Sequence, residues 1–390
     1  MVTPFSAPES VGGVQVHVAG LMRAFRDSGH DVALATRTTD EATAEGQGVE
    51  HDWEGFDVHA MAYRFGDCDR FERIWSSPLW EAWFGDLLGR VRPDVVHFHH
   101  LTCLSTGLPE VARARGAATV MTLHDYWMGC PRGQRLRADL DPCEDPSPRR
   151  CAPCLAQMWP FFPREVGQGE AEVTRWLDAA GSVLRGMDAL VAPSAHMAAS
   201  FTGMGVEEER FHVVPVGIDP APFDGLLHRS GPRIRIGVMG SVIPSKGIHV
   251  LLEAALQLDP VRTEIRIHGE ATPWHQDQDY GERLRAQVEP DGPLVRFLGL
   301  YPDGGAGDVL AGLDVLVVPS IWPEAFGMTI REAWLADVPV VASRTGALAE
   351  GIEDGETGLL FAPGDADDLA RCLRRLTDDA RLRYRLARAP

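Results

Sequence analysis

The run Leu313-Asp314-Val315-Leu316-Val317-Val318, closed by Pro319-Ser320, constrains the chain more than any other stretch. It is short, apolar and β-branched, which is the pattern of a parallel strand buried on both faces. Such a strand needs parallel neighbours and helices over each face, so it commits its surroundings to a layered α/β architecture. Beyond the loop, Ile330, Ala333, Trp334, Leu335 and Ala336 predict a helix that opens at Phe326-Gly327-Met328-Thr329. The first turn of a helix has backbone N–H groups with no internal acceptor, and here they point back toward the loop, where they suit an anion such as phosphate. Two carboxylates bracket the turn, Glu324 before the helix and Glu332 within it, with seven residues between them.

The same alternation of strand and helix recurs along the chain. Strands are expected at 31–35, 57–60, 94–99, 118–123, 189–192 and 211–215, with helices at about 14–25, 70–90, 105–115 and 170–186. A second series follows, with strands at 233–238, 264–268, 295–298, 315–318 and 338–341 and helices at about 246–257, 279–288, 304–312 and 328–336. Two doubly wound parallel-sheet domains are therefore predicted, 1–219 and 233–390, joined by a Pro- and Gly-bearing linker at 220–232 and enclosing a cleft. Ligands of such sheets sit beyond the carboxyl ends of the strands.

Several further residues fall at those ends. Gly12-Gly13 forms a turn before the first helix, and His124-Asp125 closes the strand at 118–123. The loop Gly240-Ser241-Val242-Ile243-Pro244-Ser245-Lys246-Gly247 delivers a lysine to a helix start, where it meets an anion as a point charge. His97 and His99 share one face of a strand, but a metal site there lacks an evident third ligand. Cys130, Cys143, Cys151 and Cys154 lie in an insertion at 130–165 that shows little periodicity. Four thiolates in an irregular loop can hold zinc tetrahedrally and replace a missing core. The aromatic run 158–163 either covers the core or faces an apolar acceptor.

A net charge of −19 argues against a polynucleotide partner, because binding a phosphate backbone needs surplus lysine and arginine. The start of the chain lacks a basic region followed by an apolar core, and no stretch supplies the roughly 20 apolar residues that span a bilayer. A cytoplasmic protein with reduced cysteines is expected, with contact to a membrane surface left open.

With these residues in view, the chain resembles the family-four, or group-one, retaining glycosyltransferases, which are built as two facing Rossmann-like domains with an interdomain cleft, the GT-B architecture. The resemblance rests on the E-x7-E pattern from Glu324 to Glu332 after Pro319-Ser320, supported by Gly12-Gly13, His124-Asp125, Pro193-Ser194, 215–219 and Lys246-Gly247. It implies a nucleoside-diphosphate sugar as donor, uridine favoured and guanosine open, with a hydroxyl of a glycan, lipid-linked or small molecule as acceptor. It places Glu332 on the donor ribose, Glu324 and the backbone of Phe326, Gly327 and Met328 on the donor sugar, and Thr329 and Lys246 on the diphosphate. His124 would reach the transferred sugar, with Gly12 and Gly13 near the diphosphate and acceptor. Ser241 stands where members of the family often carry an arginine. No cofactor is expected for catalysis. A sugar-nucleotide epimerase or phosphorylase on the same architecture, and a non-catalytic sugar-nucleotide-binding protein, remain alternatives.

Overall fold

The computed structural model describes residues 1–4, 12–228, 231–275, 277–288, 294–302 and 304–388. Most of the loop expected before Gly12, and linker residues 229–230, lie outside the described residues. The chain forms two compact units, one of Met1–Arg135 with Cys143–Gly217 and one of Leu136–Pro142 with Ile218–Pro390.

The first unit carries β1 (Ala33–Thr38), β2 (Gly48–Trp53), β3 (Phe56–Ala62), β4 (Val95–Phe98), β5 (Ala118–Thr122), β6 (Ala189–Ala192) and β7 (Phe211–Val213). They pair in the orders β2-β3-β1 and β4-β5-β6-β7, all parallel except β2 against β3. The first residues of the chain join the two groups, since Val2 bridges Ala35 on one side and Phe98 on the other. Its amide donates to the His97 carbonyl at 2.8 Å, and its carbonyl accepts from the His99 amide at 2.9 Å. β2 was not expected, because its largely solvent-facing residues carry no apolar signal.

The insertion also differs from its expected irregularity. It contains a helix, Pro148–Met158, whose Pro148 occupies the first turn, where proline's missing N–H costs nothing. Met158, Trp159 and Phe162 are buried. Trp159 stacks on Phe71 with ring centroids 5.8 Å apart, so the aromatic run closes the core of this unit.

The second unit carries β8 (Ile234–Met239), β9 (Thr263–His268), β10 (Leu294–Gly299), β11 (Val315–Val318), β12 (Val340–Ser343) and β13 (Leu359–Phe361). Its sheet is parallel throughout, in the doubly wound order β10-β9-β8-β11-β12-β13. β11 lies inside this sheet as expected. Val315 and Val317 pack into the core on one face, while Leu316 and Val318 pack into the core on the other. The segment read as a linker contributes to this unit, because Phe223 is buried in the same core as Leu316.

One ion pair, buried on its arginine side, ties β8 to the start of β11. The Arg235 guanidinium, 4% exposed, donates through Nε to Asp314 Oδ2 at 2.8 Å and through Nη2 to Oδ1 at 3.1 Å. The Arg235 amide donates to the same Oδ2 at 2.8 Å. Removing the carboxylate strands the buried guanidinium without its partner. Asp314→Ala is therefore expected to destabilise the second unit by about 3 kcal/mol, read as a lower urea midpoint in circular dichroism. An unchanged midpoint would show that the pair is incidental.

Candidate active site

In the second unit the loop after β11 is clamped from both sides. The Ile321 amide donates to the Ser245 carbonyl at 2.9 Å, and the Ala347 amide donates to the Glu324 carbonyl at 2.8 Å. Gly247 makes the first approach possible. Its φ is +66°, and a Cβ there would lie 1.9 Å from the Pro319 carbonyl oxygen. Only glycine combines that conformation with that contact.

The clamp orients Glu324, which is 6% exposed. Three donors converge on its Oε1: Lys246 Nζ at 2.7 Å, the Ser320 hydroxyl at 2.5 Å and Trp322 Nε1 at 2.9 Å. Lys246 Nζ also lies 5.4 Å from the centre of the Trp322 ring. A buried carboxylate needs such partners, since an uncompensated charge out of water is very costly. Sequence reasoning brought Glu324 and Lys246 to one crevice and assigned no role to Ser320 or Trp322.

Gly327, at φ +81°, turns the chain into the helix Met328–Leu335, which carries Thr329 and Glu332. Arg331 braces the turn: its Nη1 donates to the Phe326 carbonyl at 2.6 Å, and its guanidinium lies 4.1 Å from the centre of the Phe326 ring. Burial alone raises the Glu332 carboxyl above its usual range. Tyr301 stands beside it, its hydroxyl pushed up to about 12 by burial and by the Glu332 charge. Ser241 is exposed in the loop after β8.

In the first unit, Gly12 precedes the helix Gly13–Asp27, and His17 lies in its second turn. His17, His99 and His124 bring ring nitrogens within 4.8 Å of one another, close enough for a single ion. The third ligand that the pair His97 and His99 lacked is thus present, but it comes with His124 and excludes His97. His99 Nδ1 and His124 Nε2 are 3.0 Å apart, the spacing of an N–H···N hydrogen bond, and His97 Nε2 pairs with Thr122 Oγ1 at 2.7 Å. Asp125 accepts from the Trp127 amide at 2.8 Å and faces His100 Nε2 at 3.3 Å. The cysteines of the insertion lie in the same unit, and none forms a disulfide.

The sequence profile of Glycosyltransferase Family 4 matches residues 11–222, more than half of the chain, and that of Glycosyl transferases group 1 matches residues 233–379. The chain is a group 1, family 4 glycosyltransferase. An enzyme of Mycolicibacterium hassiacum named MMP alpha-(1->4)-mannosyltransferase is 30% identical over 310 residues, spanning 75% of this chain and 64% of the relative's length. A D-inositol 3-phosphate glycosyltransferase of Pseudarthrobacter chlorophenolicus is 27% identical over 412 residues, spanning 99% of this chain and 87% of that one. Among solved structures, HepE of Anabaena in complex with UDP-glucose superposes with a TM-score of 0.67 at 18% identity, covering 100% of this chain and 92% of its own. Sucrose-phosphate synthase of Thermosynechococcus elongatus gives 0.69 at 18% identity, over 97% and 87%. These likenesses show the GT-B fold with two Rossmann-like domains, as expected from the alternation of strands and helices. No helix among the described residues is long and apolar enough to cross a membrane.

The glycosyltransferase keeps its clustered histidines uncharged. Burial first, then the terminal amine and His17, lowers His97 to about 3. Burial first, then neighbouring histidines, lowers both His99 and His124 well below the usual range. His17 was missed as a member of this group, although its place one helical turn after Gly13 is visible in the sequence.

A histidine held neutral in the folded enzyme takes up a proton on unfolding once the pH is below about 6.5. Its contribution to stability is complete above that value and is lost as pH falls toward the folded-state pKa, by about 1.4 kcal/mol per pH unit. His97→Gln removes one such site, so its thermal midpoint is expected to fall less than that of the parent between about pH 6.5 and 5. Equal slopes for the two proteins would count against this account.

Proposed function

We propose that the chain is a retaining hexosyltransferase that takes a sugar from a nucleoside diphosphate, uridine favoured and guanosine open, and passes it to an acceptor hydroxyl. The observation that carries this reading is the convergence of Lys246, Ser320 and Trp322 on Glu324 Oε1, next to the start of the helix Met328–Leu335. One carboxylate oxygen is held by protein donors, and the other is assigned to hydroxyls of the donor sugar. The HepE structures in complex with UDP and UDP-glucose support the choice of uridine.

Glu332 is assigned to the ribose. Burial disfavours its charge, and two ribose hydroxyls donating to the carboxylate would restore the hydrogen bonding that burial removes. The diphosphate is assigned to Lys246, Thr329 and the backbone N–H groups of the first helical turn, which together supply positive potential where the leaving group gains charge. Ser241, and in the first unit Gly12 and Gly13, are assigned to the donor with less to constrain them.

In the proposed step the bond from the anomeric carbon to the phosphate oxygen breaks while the acceptor oxygen bonds to the same face of that carbon. The acceptor proton passes to the departing phosphate oxygen, so configuration is retained and no protein base has to take the proton. His124, held neutral in the first unit, is assigned to hydrogen bonding with the transferred sugar. No cofactor enters these steps. The acceptor class stays as broad as a glycan, a lipid-linked molecule or a small molecule. The GT-B alternatives, an epimerase or a phosphorylase, predict free epimer or sugar phosphate instead of a glycoside.

Lys246→Ala is expected to lower kcat by roughly 10²–10³, the usual effect of removing one preorganised donor to developing charge. Glu332→Ala is expected to weaken UDP binding by about 10- to 100-fold in calorimetry, the range for hydrogen bonds to a charged group. Transfer by Lys246→Ala at the parental rate, or UDP affinity unaltered in Glu332→Ala, contradicts these assignments. A parent protein that binds UDP-sugars and transfers nothing to any acceptor is a binding protein.

A further inference from the structure

The strand β5 leads through His124-Asp125 into a tight turn at Cys130. The Cys130 amide donates to the Tyr126 carbonyl at 2.7 Å, and the Gly133 amide donates to the Cys130 carbonyl at 2.7 Å. Gly133 has a φ of +76°. The buried Cys130 sulfur accepts the backbone N–H groups of both Arg132 and Arg135.

The other three cysteines lie in the segment that follows this turn. The Cys143 amide donates to the Arg135 carbonyl at 2.8 Å, which returns the chain to the turn. Cys151 and Cys154 stand three residues apart on the helix Pro148–Met158, so they share one side of it. Cys151, like Cys130, is buried, and Cys143 and Cys154 are partly buried. Arg132 Nη1 lies 3.9 Å from Cys154 Sγ, which sets a fixed positive charge beside the sulfurs.

We infer that Cys130, Cys143, Cys151 and Cys154 bind one zinc ion, which pins the insertion that follows His124-Asp125. The reaction is ligand exchange with no redox change: four thiols give up their protons to solvent, and four thiolates replace water on the cation. Arg132 offsets part of the surplus negative charge of a tetrathiolate site. A zinc–sulfur bond of about 2.3 Å implies sulfurs about 3.8 Å apart in a tetrahedral site. Among the described residues, only His17, His99 and His124 already bring ligating atoms within 4.8 Å of one another; zinc binding requires the four sulfurs to close on the ion. The histidines nevertheless compete poorly for the ion. His99 Nδ1 and His124 Nε2 are already bonded to each other, whereas the sulfurs of Cys130 and Cys154 are met by N–H donors that a bound thiolate keeps.

The test is the metal content and thiol count of the full chain, produced with zinc in the medium and purified without chelator. About one zinc per chain is expected, released as a mercurial reagent titrates the thiols. The double variant Cys143→Ser, Cys154→Ser should lose it, and His17→Ala should keep it. Should the double variant fail to fold, the parent protein loaded with cobalt decides the matter, because tetrahedral thiolate ligation gives a sulfur-to-metal charge-transfer band that histidine ligation does not. Folded parent protein with little zinc, iron in its place, zinc lost in His17→Ala, or two disulfides among the four cysteines would each overturn the assignment.

Discussion

A single carboxylate oxygen organises the second unit. Glu324 Oε1 accepts from an ammonium, a hydroxyl and an indole at once, and the donors come from two separate loops beyond the sheet. Lys246 comes from the turn after β8, while Ser320 and Trp322 come from the loop after β11. Taking any one of them away would leave a buried charge short of partners, so the two loops hold each other in place. The close approach at Gly247 and the left-handed turn at Gly327 are the backbone conditions for that arrangement.

The first unit handles polar groups in the opposite way. Among the described residues, His17, His99 and His124 group with no carboxylate among them, and burial lowers their pKa values, which favours the neutral imidazole. Neutral imidazoles can donate and accept hydrogen bonds without attracting the diphosphate as a charge would. This is the chemistry that the proposed contact of His124 with sugar hydroxyls would use.

Much of this was legible in the primary structure. The apolar run 313–318 identified a strand buried on both faces, and Leu316 and Val317 pack into opposite cores as that requires. The exposed residues of β2 carried no such signal, and the helix Pro148–Met158 was hidden because proline and cysteine obscure helical periodicity. Phe223 was read as part of a linker for its proline and glycine neighbours, yet an aromatic side chain close to a core is buried wherever the chain allows.

By itself, the sequence determined the fold class, the family and the order of strands and helices, because burial pattern and glycine placement are local properties of the chain. It also named Glu324, Glu332 and Lys246. Only the tertiary structure decided which atoms meet: that Lys246, Ser320 and Trp322 share one oxygen of Glu324, and that His17 joins His99 and His124. The reason is separation along the chain. Lys246 and Glu324 lie 78 residues apart, and no local periodicity records a contact made by bringing two strand ends side by side in a sheet.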